Sequence, residues 1–155
     1  MPQLNPGGKF IFGWSVIAPD GRVRLPEQAV REYGLAEEKH VYLFTGSGST
    51  GGFCVTRKGL LGRSRLSHIL EELPQLKNYT GDEGAFLPYK GRSYCWTPVT
   101  GGGELILSEE MRKVLGLSLG GKLLSIRSSD IAFTMGAKGP LLERAEGYLG
   151  EIPVY

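Results

Sequence analysis

A chain of 155 residues holds one ordinary domain or two very small ones, and its 41% hydrophobic and 22% charged residues exclude gross disorder. Its 24 glycines follow no three-residue period, which excludes collagen and points instead to short strands joined by many turns. A net charge of +2 and a pI near 8.5 permit nucleic-acid binding without arguing for it, because the usual footprint is a clustered basic face.

The opening residues, Met1 to Gly8, lack the apolar core of a signal peptide, and no run reaches the roughly 20 apolar residues that cross a bilayer. A cytoplasmic protein without membrane attachment is the expectation. Phe10 to Ile17 is an apolar stretch, and Pro19-Asp20-Gly21 is a turn in which Pro sets φ and Gly accepts a positive one. Arg22-Val23-Arg24-Leu25 alternates polar and apolar, the signature of a half-buried strand. Pro26 suits the first position of a short helix, Glu27 favours its N-terminal dipole and Gly34 is its stop. A strand resumes at Val41 to Phe44, and Gly46 to Gly52 reads as a hairpin loop. That loop lacks the Gly-Lys-Ser/Thr ending of a P-loop. Leu66, Ile69, Leu70 and Leu73 fall at helical spacing with Pro74 as a stop, and residues 77–92 read as linker.

The elements then recur. Tyr94 to Val99 is a strand, Gly101 to Gly103 a turn, and Glu104 to Leu107 a second strand. Ser108 is an N-cap for a helix from Glu109 to Leu115 that stops at Gly116. Lys122 to Ile126 and Ile131 to Met135 form a hairpin, and Leu141, Leu142, Ala145 and Leu149 suggest a short closing helix. Aligning Trp14 with Trp96, an offset of 82, superposes Gly21 on Gly103, Leu25 on Leu107, Glu27 on Glu109, Gly34 on Gly116 and Leu35 on Leu117. Six of the 22 pairs from position 14 to 35 are identical, where about one is expected by chance. The tails echo as well, Lys58-Gly59-Leu60-Leu61 against Lys138-Gly139-Pro140-Leu141. The resulting organisation is repeat one at 8–61, helix and linker at 62–89, repeat two at 90–142 and a C-terminal tail at 143–155.

Gly21-Arg22-Val23-Arg24-Leu25-Pro26 followed by Arg31-Glu32-Tyr33-Gly34-Leu35 resembles the SpoVT/AbrB family. So does Gly103 to Ser108 followed by Met111 to Leu117. The match covers about 30–45 residues of each half. The resemblance implies a mainly β fold with short helices, a tandem swapped-hairpin β-barrel in the two-repeat MraZ-like arrangement. A unit this small buries too little surface alone. Its repeats are therefore expected to pair within the chain as a pseudo-dimer or between chains as a swapped homodimer.

The resemblance also implies DNA contact through the first hairpin and the turn before the helix. Carried over by position, the candidates are Arg22, Arg24 and Arg31, with Lys9 extending the patch. If Val23 and Leu25 point inward, Arg22 and Arg24 share the outward face and reach neighbouring phosphates. Repeat two departs from the pattern: Glu104 stands where Arg22 does and Ile106 where Arg24 does, leaving Arg112 and Lys113 as its cations there, with Lys90 and Arg92 upstream. A second basic cluster, Arg57-Lys58 with Arg63 and Arg65, precedes the linker helix. Cys54 and Cys95 read as half-buried strand residues, and neither they nor His40 and His68 have metal-ligand spacing. No catalytic residues, metal or cofactor are expected. The expected function is a DNA-binding transcriptional regulator that works as a homodimer or higher homo-oligomer. The alternative is a protein-interaction module, antitoxin-like or an assembly factor, that has lost DNA binding; an enzyme or small-ligand binder on the same fold is the third class.

Overall fold

Turn residues cut the sequence into short pieces, and the computed structural model, which describes residues 9–148 and 151–155, shows what those pieces become. In chain order they are β1 (Ile11–Val16), β2 (Arg22–Arg24), α1 (Glu27–Glu32), a 3-10 turn (Leu35–Glu37), β3 (His40–Thr45) and β4 (Phe53–Thr56). Three short helices follow: α2 (Lys58–Leu61), α3 (His68–Glu72) and α4 (Pro74–Asn78). The second half contains β5 (Leu87–Tyr89), β6 (Arg92–Pro98), β7 (Glu104–Ile106), α5 (Glu109–Leu115), β8 (Lys122–Arg127), β9 (Phe133–Gly136) and α6 (Pro140–Glu146). The fold is mainly β with short helices. The predicted N-terminal stretch 1–8 and Leu149 of the closing helix lie outside the described residues.

Seven strands form one antiparallel sheet in the order β1-β8-β9-β4-β3-β6-β5, and β2 and β7 form a separate two-stranded ribbon. Most of these pairings join the two repeats. β1 pairs with β8, β3 with β6, β2 with β7 and β4 with β9. The hydrogen bonds carry the same offset of 82: Ala18 N–H donates to Arg22 C=O at 3.0 Å, and Thr100 N–H to Glu104 C=O at 2.9 Å. Leu25 N–H donates to Gly103 C=O and Leu107 N–H to Gly21 C=O, both at 2.8 Å. After β3 the register changes. Cys54 pairs with Thr134 at the centre of β4·β9, an offset of 80, because the loop between β3 and β4 is two residues longer than that between β8 and β9.

Strand alternation sorts side chains onto two faces of the sheet. One face, with Phe12, Leu43, Phe53, Val55, Phe133 and Met135, meets Val23 and Leu105 of the ribbon and Ala29 and Met111 of the helices in one central core. Full burial of each such side chain contributes about 1.5–3 kcal/mol. The other face has two separate clusters. Tyr42, Tyr94, Leu61, Ile69 and Leu76 join the tail of repeat one to the sheet, and Ile11, Trp14, Leu124 and Ala145 join the tail of repeat two. Backbone bonds from Trp14 N–H to Pro153 C=O (2.8 Å) and from Tyr155 N–H to Trp14 C=O (2.7 Å) lay the C-terminal residues along β1.

Three local expectations shift. Pro26 directly precedes α1 rather than opening it, and its carbonyl accepts the first helical bond, from Val30 N–H at 3.0 Å. Pro74 starts α4 instead of ending the helical region, since proline lacks only a donor that the first turn leaves unpaired anyway. The stretch read as linker holds β5, which extends the sheet beside β6.

Candidate nucleic-acid interface

The ribbon is built by two equivalent turns. At each, a glycine with positive φ, Gly21 at 85° and Gly103 at 83°, lets the chain reverse. A Cβ at Gly21 would lie 2.5 Å from the Leu107 carbonyl oxygen, and one at Gly103 would lie 2.6 Å from a methyl of Val30. Asp20 tightens the first turn by accepting the Arg22 N–H at 3.0 Å. The register sets Arg22 opposite Ile106, Val23 opposite Leu105 and Arg24 opposite Glu104. Val23 and Leu105 are buried while Arg22, Arg24 and Ile106 are exposed, so the two arginines do share the outward face of β2.

Each predicted cation has a definite setting. Arg22 lies 3.6 Å from Asp20, and both side chains are more than half exposed. Arg24 forms no ion pair among the described residues, and it lines a groove of about 560 Å³ together with Arg31, Glu27, Glu37 and Tyr155. Arg31 is 3.4 Å from Glu27 and Lys113 is 3.5 Å from Glu109, the same i,i+4 pair in each repeat. Exposed pairs of this kind are weak and exchange readily for another anion. Arg112 is committed differently: its guanidinium donates to the Leu107 carbonyl at 2.8 Å, locking the end of β7 beside Gly21. Lys9 is not part of this surface. It lines a cavity on the opposite face of the sheet, over Cys54 and Thr134, together with Arg92 and Arg144.

Of the second basic cluster, Arg57 and Lys58 are held against the fold, while Arg63 and Arg65 are exposed. Arg57, with 12% of its side chain exposed, donates to Glu38 and to the Tyr33 carbonyl (2.7 Å) and lies 3.0 Å from Glu37. Lys58 stands over the Tyr79 ring at 4.1 Å, and Arg63 donates to the Gly59 carbonyl at 2.7 Å. Sequence reasoning passed over Arg144 and gave Arg92 only a minor place. Neither carries a local motif, and both line the same cavity because β6 and α6 border it. No helix among the described residues is long and apolar enough to cross a membrane. No family model, curated protein or solved structure matches the chain.

Proposed function

We propose that the protein is a DNA-binding transcriptional regulator of the AbrB type, with the cross-repeat pairing acting as the swapped-hairpin arrangement within one chain. The observation that carries this reading is the ribbon. Arg22 and Arg24 project from one exposed face of β2, about 7 Å apart along the strand, and Arg24 shares a groove with Arg31. Three flexible guanidinium groups in succession suit the phosphates of a duplex. Their exposed acidic neighbours, Asp20 and Glu27, are loosely held and yield to a phosphate. Repeat two offers Glu104 and Ile106 at the matching positions, so each chain presents one basic half, and a homodimer would present two.

Fluorescence anisotropy with a labelled duplex at low salt tests the reading. Wild type should bind saturably, and the Arg22→Ala/Arg24→Ala variant should lose at least about tenfold in affinity while staying folded. A folded wild-type protein that leaves the duplex free at low salt rules the reading out.

A protein-interaction module is the second reading, favoured by Ile106, which is 54% exposed on the same ribbon face. In that case Ile106→Ala weakens capture of a protein partner, and Arg22→Ala/Arg24→Ala leaves duplex affinity unchanged.

A further inference from the structure

The outer face of the sheet is covered on its flanks and open at its centre. The tail of repeat one packs over β3 and β6, and the tail of repeat two over β1 and β8. Between them lies a cavity of about 640 Å³ over the central pair β4·β9. That volume falls within the roughly 300–1,000 Å³ of small-molecule sites. Cys54 and Thr134, cross-strand partners with Sγ and Oγ1 3.5 Å apart, lie at its floor. Phe44 and Ile126 extend the floor, and Leu66 and Leu141 come from the two tails.

The polar groups of this cavity are one-sided. Lys9, Arg92 and Arg144 line it, and among the described residues no aspartate or glutamate does. Arg92 stands at the edge of the floor, its guanidinium carbon 5.5 Å from the Phe44 ring centre. Its charge works against burial, which raises the pKa of the Cys54 thiol. Ser47, Ser49 and Thr50 of the glycine-rich β3–β4 loop and Ser128 and Ser129 of the β8–β9 turn add hydroxyls, which bond to one another, to Thr134 and to nearby backbone carbonyls. Cations and hydroxyls around an apolar floor complement an anionic head on an apolar body, and the nearby low-dielectric surface strengthens that attraction.

We infer that this cavity binds a small amphiphilic anion, a medium-chain carboxylate or phosphate monoester, with its chain over Cys54 and Thr134 and its head toward Arg92. The site uses no residue of the ribbon and stands apart from the DNA reading.

Titration calorimetry of the full chain, below the micelle concentration of each probe, tests it with decanoate, decyl phosphate, decanol and decyltrimethylammonium. Decanoate or decyl phosphate should bind at one site per chain, and the tighter of the two assigns the head group. Decanol and decyltrimethylammonium should bind about tenfold more weakly or not at all. Arg92→Glu, checked for folding by circular dichroism, should weaken the anion about tenfold or more. Arg92→Lys should retain most of the affinity, and Arg22→Ala/Arg24→Ala should leave it unchanged. Failure of both anions to bind saturably, equal binding of the cationic probe, or indifference of the folded charge-reversal variant would overturn the inference.

Discussion

Tyr33 is 3% exposed, its hydroxyl donates to the Ser129 carbonyl at 2.6 Å, and its ring lies 5.0 Å from that of Phe133. Burial first, and the charge of Glu32 second, push its pKa up from 10.0 to about 12. The folded state therefore holds this proton more tightly than the unfolded chain does. The stabilisation is complete below pH 10 and is lost as pH rises through 12, a loss of about 2–3 kcal/mol for a shift of this size. Tyr33→Phe should flatten that part of the alkaline decline in urea-denaturation free energies, and an unchanged pH profile would contradict the burial argument. In the sequence, Ala29, Val30 and Tyr33 give the helix a partly apolar face, but nothing in it names the partner of the Tyr33 hydroxyl 96 positions away. Arg57 makes the same point from the other side. As a sequence it looks like surplus surface charge, yet Glu37, Glu38 and the Tyr33 carbonyl all hold it in place.

The ribbon is the element on which sequence and structure agree most closely. Alternation in Arg22-Val23-Arg24-Leu25 foretold which side chains turn inward, because a strand with one buried face leaves period two as its only solution. The turn glycines were equally legible and carry a sharp expectation. Gly21→Ala places a Cβ against the Leu107 carbonyl in a backbone conformation that alanine avoids. It should cost on the order of 2 kcal/mol or more in chemical denaturation, and a cost below about 0.5 kcal/mol would show that the turn relaxes freely. Partners were less legible than strands. Nothing local in β2 names β7, and the slip from an offset of 82 to 80 arises in a loop of glycines, serines and one threonine that carries no hydrophobic pattern. Pro74 and β5 escaped because proline punctuates helix starts as well as stops, and because a three-residue strand is too short to show a period.

Across the whole molecule, the cross-repeat ladders make each half incomplete. β1, β2, β3 and β4 each take a partner from the other repeat, and the central core mixes residues from both. A chain divided in the exposed stretch at Gly81–Asp82 should yield halves that co-purify one to one when expressed together and fail to fold alone as monomers. A stable monomeric half, seen by sedimentation and circular dichroism, would contradict this. The same architecture puts the basic arm of repeat one beside the acidic and apolar arm of repeat two, so the DNA reading depends on a few named charges. Its most direct measurement is the dependence of duplex affinity on salt concentration. Contacts from Arg22, Arg24 and Arg31 predict a slope of log K against log salt of about −2 to −3 per chain. In the Arg22→Ala/Arg24→Ala variant that slope should shrink toward −1, and a slope that the double substitution leaves unchanged would contradict recognition through the ribbon.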